Sequence, residues 1–141
     1  MEVVELHSPA EHREALPILR ELYPWLDEGH YAALLAEMLD DGYRQFALRN
    51  EAGEVVAVAG VAVHVNLYYG RHLYVYDLVV KEDERSEGYG RLLMDHVEGI
   101  ARHEGCETAA LACGLEREGA LRLYEGRGYQ KPSYAMRKAL G

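Results

Sequence analysis

Residues Val55 to Val65 read Val-Val-Ala-Val-Ala-Gly-Val-Ala-Val-His-Val, eleven positions with no charged side chain. A strand with one wet face would alternate polar and apolar residues, so a run like this predicts a strand buried within a sheet. The flanks agree. Tyr43 to Arg49 alternates as a strand, Glu51-Ala52-Gly53-Glu54 is a turn, and Asn66 to Gly70 turns the chain into another strand, Leu73 to Val80. Together they predict an antiparallel meander with its most apolar strand in the middle.

The remaining segments change period. Val3 to His7 is a short strand, and Ser8-Pro9-Ala10-Glu11 starts a helix with a capping box and proline at its first position. Ala15, Ile18, Leu19 and Leu22 mark its apolar face up to Tyr23-Pro24. A second helix over about His30 to Leu39 places Tyr31, Leu34, Leu35 and Met38 at core spacing. Gly88 to His103 is a third helix, with Leu92, Leu93, Val97, Ile100 and Ala101 inward and Gly105 as its C-terminal cap. Thr108 to Cys113 is a strand, Glu118 to Glu125 a short helix, and Tyr129 to Arg137 a last strand. The order β-α-α-β-β-β-α-β-α-β predicts one α+β domain over residues 1–141, a central mixed, mostly antiparallel sheet flanked by helices.

Charge narrows the function. The 141-residue chain carries a net charge of −9, which opposes generic binding to nucleic acid, a partner that demands clustered Lys and Arg. No apolar run reaches the roughly 20 residues of a membrane span, and Met1-Glu2-Val3-Val4-Glu5 lacks the basic start of a secretory signal, so a cytoplasmic protein is expected. Cys106 and Cys113 sit about 23 Å apart if the segment between them is extended, too far for an intrachain disulfide. None of the seven histidines stands at a zinc-ligand spacing from Cys or Glu, and no metal is expected.

The chemistry concentrates after the strand that ends Asp77-Leu78-Val79-Val80. Four charged residues follow, then Arg85-Ser86-Glu87-Gly88-Tyr89-Gly90-Arg91 at the start of the third helix. Glycines there permit positive φ and close approach of a ligand to the backbone. The unpaired N–H groups of the first helical turn point outward with the positive end of the helix dipole, and Arg85 and Arg91 add cationic donors. A pyrophosphate fits this site. Leu93 stands where a third glycine would complete a dinucleotide fingerprint, and no Gly-Lys-Ser/Thr follows for a P-loop.

About thirty residues on comes Ala120-Leu121-Arg122-Leu123-Tyr124-Glu125-Gly126-Arg127-Gly128-Tyr129. With the Arg-x-x-Gly-x-Gly loop at 85–90, the chain resembles the GNAT superfamily of N-acetyltransferases, over essentially its whole length. The resemblance implies acetyl-coenzyme A as cosubstrate, its pyrophosphate on the amides of Ser86 to Arg91. It also implies main-chain pairing of pantetheine with Leu78, Val79 and Val80, and Tyr124 as the acid that protonates the leaving thiolate. Two positions depart from the pattern. Arg117 replaces a frequent Asn, and Glu87 stands where a basic or small residue is common; Glu87 is expected to face solvent. Dimers are common among such chains, so a homodimer is one expected state.

The proton acceptor is less defined. Where some relatives use a strand glutamate, this chain has Tyr74, leaving Asp77, Tyr76, His64 and His72, with Asp77 or solvent as the relay. His64 and His72 are expected to face each other across the hairpin. Tyr23, Trp25, Tyr31, Tyr68, Tyr69, Tyr74 and Tyr76 come from the two regions that border the acceptor in such folds. Six acids and no Lys or Arg lie in residues 21–42, which favours a small cationic amine as acceptor. The rival reading is a protein that binds acyl-coenzyme A without turning it over.

Overall fold

The computed structural model describes residues 1–114 and 117–141. The elements are β1 (Glu2–Leu6), α1 (Pro9–Leu19), α2 (Glu28–Asp40), β2 (Arg44–Arg49), β3 (Val55–Asn66), β4 (Gly70–Val80), a 3-10 turn (Glu82–Glu84), α3 (Tyr89–His103), β5 (Thr108–Leu111) and α4 (Glu118–Gly126). The sheet runs β1-β2-β3-β4-β5, antiparallel except for the parallel pair β4/β5. This is the expected α+β architecture with β3 in the middle.

Each face of the sheet holds its own core. Ala59, Val61, Leu73 and Leu78 pack with Leu93, Met94 and Val97 of α3 and with Tyr124 of α4. On the other face Ala47, Val58 and Val79 meet Ala15, Leu19 and Leu35 of α1 and α2. The capping box forms: the Glu11 amide donates to Ser8 Oγ at 3.1 Å, and the Ser8 amide donates to Glu11 Oε1 at 2.9 Å. Two residues assigned to helix faces are exposed. Leu34 is 45% exposed and Leu92 is 44% exposed, because each helix rests on the sheet along a stripe narrower than its apolar sequence.

The last strand does not form. Residues 129–141 contain no strand, and Tyr134 and Met136 lie almost fully exposed. Tyr129 explains the detour. Its amide donates to the Tyr124 carbonyl at 3.0 Å and its hydroxyl to Glu98 at 2.9 Å, and Lys131 pairs with Glu125 at 3.4 Å. These bonds hold the chain against α3 and α4, and Pro132 has no N–H to give to a ladder.

A bulge shapes the centre of the sheet. Gly60 pairs with Asp77 but Val61 pairs with Val75, leaving Tyr76 as the extra residue on β4. A bulged strand bends. β5 accordingly pairs with β4 only over His72 to Val75, and from Tyr76 onward the outer edge of β4 has no strand beside it among the described residues.

Candidate active site

The parting of β4 from β5 leaves backbone groups open. Lys81 donates its amide to the Val56 carbonyl at 2.8 Å, which fixes the alternation along the ladder. Val79 turns its amide and carbonyl toward β3, whereas Leu78 and Val80 turn theirs to the open edge. The Val80 carbonyl is taken by Arg85 Nε at 3.0 Å.

At the end of this edge α3 begins with Gly88 at φ 83° and no side-chain cap. The first bond of the helix is Leu92 N–H to the Gly88 carbonyl at 3.1 Å, so the amides of Tyr89, Gly90 and Arg91 lack helical acceptors. A side chain at Gly88 would meet nothing within 4 Å, so the space in front of these donors is open. Ser86 also takes a positive φ, 71°, and Glu87 is exposed as expected. The residues present fit a diphosphate. Arg85 is partly committed elsewhere: its Nη2 pairs with Glu21 at 3.0 Å, which ties the loop to the segment after α1.

Tyr124 is 6% exposed and packs edge-on against Tyr129, ring centres 5.8 Å apart. Burial pushes its phenol up to about 12; the Arg117 charge pulls it back, and Cys113 and Asp77 push it further up. Burial and the neighbouring Asp77 push the Tyr23 phenol well up, and the Arg117 charge works against that rise. Sequence reasoning marked Arg117 only as a departure, yet its charge bears on both phenols.

Asp77 is 6% exposed and both carboxylate oxygens are occupied. Tyr23 donates to Oδ1 and Tyr43 to Oδ2, each at 2.5 Å. Burial raises the Asp77 carboxyl above the ordinary carboxylate range, and the two phenol bonds work against that rise. The network continues inward: Gln45, fully buried, donates to Tyr31 at 3.0 Å and to Tyr43 at 3.3 Å, and Tyr31 donates to the His12 carbonyl at 2.7 Å. Tyr31 therefore belongs to the core and not to a pocket wall. The Tyr43 and Gln45 members gave no signal in the sequence beyond a polar residue inside a strand.

Near Asp77 stand Tyr23 and Trp25, with ring centres 5.7 Å apart, and Tyr74 and Tyr76 at 4.8 Å. His64 and His72 pair across the hairpin, and His64 Nε2 lies 2.8 Å from the Tyr76 hydroxyl. A cavity of about 750 Å³ runs along β5 beneath residues 128–135 and is lined in part by Tyr124. It is the space left where no strand follows β5, and the open β4 edge lies on the other side. No group of three or more His, Cys, Asp or Glu side chains converges among the described residues.

The open β4 edge leads into the uncapped start of α3, and Leu123 of the second motif packs beside Gly90 of the first. A family model of the acetyltransferase (GNAT) family matches residues 5–129. The chain belongs to that family. It is 35% identical over 136 residues to the uncharacterized N-acetyltransferase YhdJ of Bacillus subtilis (strain 168), covering 95% of each chain. Among solved structures it resembles an acetyltransferase of Trypanosoma brucei, with TM-score 0.80, 22% identity and 99% of both chains covered. It also resembles AAC(6')-Iy, solved in complex with the bisubstrate analog CoA-S-monomethyl-acetylneamine, with TM-score 0.83, 14% identity, and 98% and 96% of the two chains covered. At these identities the structural likenesses speak for the fold. GNAT members are N-acetyltransferases with acetyl-coenzyme A as cosubstrate. No helix among the described residues is long and apolar enough to cross a membrane.

Proposed function

We propose that residues 1–141 act as a single N-acetyltransferase domain, which moves an acetyl group from acetyl-coenzyme A to a small cationic primary amine by direct transfer in a ternary complex. The observation that carries this reading is the open β4 edge ending at the uncapped start of α3.

On this reading the amides of Tyr89, Gly90 and Arg91 hold the diphosphate, helped by Arg91 and by the loop from Arg85 to Gly88. The outward amide and carbonyl of Leu78 and the Val80 amide pair with pantetheine, and Val79 keeps the strand on β3. The thioester then lies near Tyr124. The acceptor nitrogen, in its neutral form, attacks the thioester carbon, the carbon–sulfur bond breaks, and the thiolate takes the Tyr124 proton. The nitrogen gives its proton to the Tyr23 oxygen as the Tyr23 proton passes to ionised Asp77. Alignment of the reactants supplies much of the rate.

Support for a cationic acceptor comes from the aromatic faces of Tyr23, Trp25, Tyr74 and Tyr76 and from the Asp41 charge, which bears on Tyr76. Glu21 and Asp27 contribute less than their sequence position promised, since one pairs with Arg85 and the other caps α2. The test is release of free thiol from acetyl-coenzyme A with a panel of polyamines, aminoglycosides, amino acids and lysine peptides. Turnover with a small cationic amine is expected. Tight coenzyme binding without thiol release on any amine would replace this reading with a sensor.

A further inference from the structure

Two contacts fasten the segment after α1 to the part of β4 beyond the bulge. Tyr23 donates to Asp77 Oδ1 at 2.5 Å and lies 3.3 Å from the Tyr76 carbonyl. Two residues earlier, Glu21 Oε1 accepts from Arg85 Nη2 at 3.0 Å, while Nε of the same guanidinium donates to the Val80 carbonyl at 3.0 Å. Glu21 and Tyr23 share a fixed base, since their amides donate to the Ile18 and Leu19 carbonyls at the end of α1 at 3.1 and 2.9 Å. One side chain, Arg85, thus links the turn before α3 to the segment that carries Tyr23.

Arg85 suits that task by shape. Its guanidinium is planar, so donors on two of its nitrogens fix the direction of Glu21 relative to Val80. Both partners of the ion pair are partly exposed, and such a pair adds little stability on its own. Its consequence is geometric. The open β4 edge at Leu78 and Val80 precedes Arg85 in the chain, and the uncapped amides of Tyr89 to Arg91 follow it. A ligand that occupies both restrains the turn between them, and with it the guanidinium.

We propose that Arg85 and Glu21 are positioning residues, through which bound coenzyme sets Tyr23 against Asp77 for the acceptor. The inference rests on the coenzyme reading above. Trp25 makes it readable: it is the chain's single tryptophan, 71% exposed, and stands edge-on to Tyr23 at 5.7 Å. Its emission reports on the Tyr23 segment with no acceptor present.

Coenzyme A is titrated into the wild-type protein, Glu21→Ala, Arg85→Ala and the double variant, with Trp25 emission and heat of binding recorded on the same samples. Saturation should change the wild-type emission. Glu21→Ala should lose most of that change while its calorimetric Kd stays within about threefold, and the double variant should respond as Glu21→Ala does, because coupled residues are not additive. In thiol release from acetyl-coenzyme A, Glu21→Ala should lower kcat about threefold to thirtyfold with KM for the coenzyme little changed. Unchanged wild-type emission at calorimetric saturation, or the same response and kcat in Glu21→Ala, would overturn the assignment. Absence of any heat of binding in the wild-type protein is a different result: it would sink the coenzyme reading itself and this link with it.

Discussion

The Tyr43 hydroxyl donates to Oδ2 of Asp77 directly above Gly60, at the residue pair where the β3–β4 register shifts. A Cβ at Gly60 would collide with both groups. The glycine in the middle of this apolar strand is therefore the space in which a buried carboxylate is bonded. Gly60→Ala should lose about 1–3 kcal/mol by overpacking and push Asp77 out of register. Urea unfolding checks the first, and a drop in turnover of the residual folded protein checks the second. A variant as stable and active as the parent would show that the contact yields freely.

The Asp77 network also makes a kinetic prediction. Asp77 is buried and Tyr23, only partly buried, is bonded to it, so on the proposed reading a proton reaches Asp77 through Tyr23. Tyr23→Phe and Asp77→Asn should each lower kcat by about a hundredfold or more, the usual range for removal of a general base, with little effect on coenzyme affinity. Burial raises the Asp77 carboxyl, so its basic form fills at a higher pH than for an exposed Asp. Turnover through it should be lost as pH falls through that raised value, and Asp77→Asn should lose this dependence. Retention of full activity by Tyr23→Phe would move proton removal to solvent.

Much of this was legible in the sequence, for reasons that differ by element. The period-2 and period-3.6 patterns place β1 to β5 and α1 to α4 because burial imposes those repeats on the chain. The uncapped start of α3 could be read because glycine fits the positive φ that Gly88 takes there. Tyr129 to Arg137 misled because its apolar content resembles a strand, while Tyr129 and Lys131 are bonded to α3 and α4 instead. The Tyr23–Asp77–Tyr43 triad was hidden because its members come from three separated segments that meet only after the bulge forms. Arg117 could be seen as an anomaly, but its reach toward Tyr23 and Tyr124 needed coordinates.

Tyr124 is expected to act only as a proton donor. With its phenol pushed up to about 12 by burial, it keeps its proton throughout the range in which the protein is assayed. Raising the pH should not remove the acid, so turnover should hold on the alkaline side until well past pH 10. Tyr124→Phe should reduce kcat about a hundredfold or more while coenzyme affinity changes by less than about threefold. Equal turnover in the variant would remove Tyr124 from the reaction.

On the proposed coenzyme reading, blocking the diphosphate requires the right glycine. Gly90 looks suitable from sequence, but a side chain there would lie 3.3 Å from Leu123 and 3.7 Å from Val80, so Gly90→Asp would bury a carboxylate between α3 and α4 and damage the fold. Gly88 is open, and its φ of 83° falls in the left-handed region, which Asp enters more readily than most residues. Gly88→Asp should cost about 1–2 kcal/mol while setting a negative charge before the amides of Tyr89 to Arg91. A diphosphate would meet like-charge repulsion of several kcal/mol there, and coenzyme affinity should fall about a hundredfold or more. Calorimetry on the folded variant reads this directly. Unchanged affinity would mean that the amides at the start of α3 do not face the coenzyme.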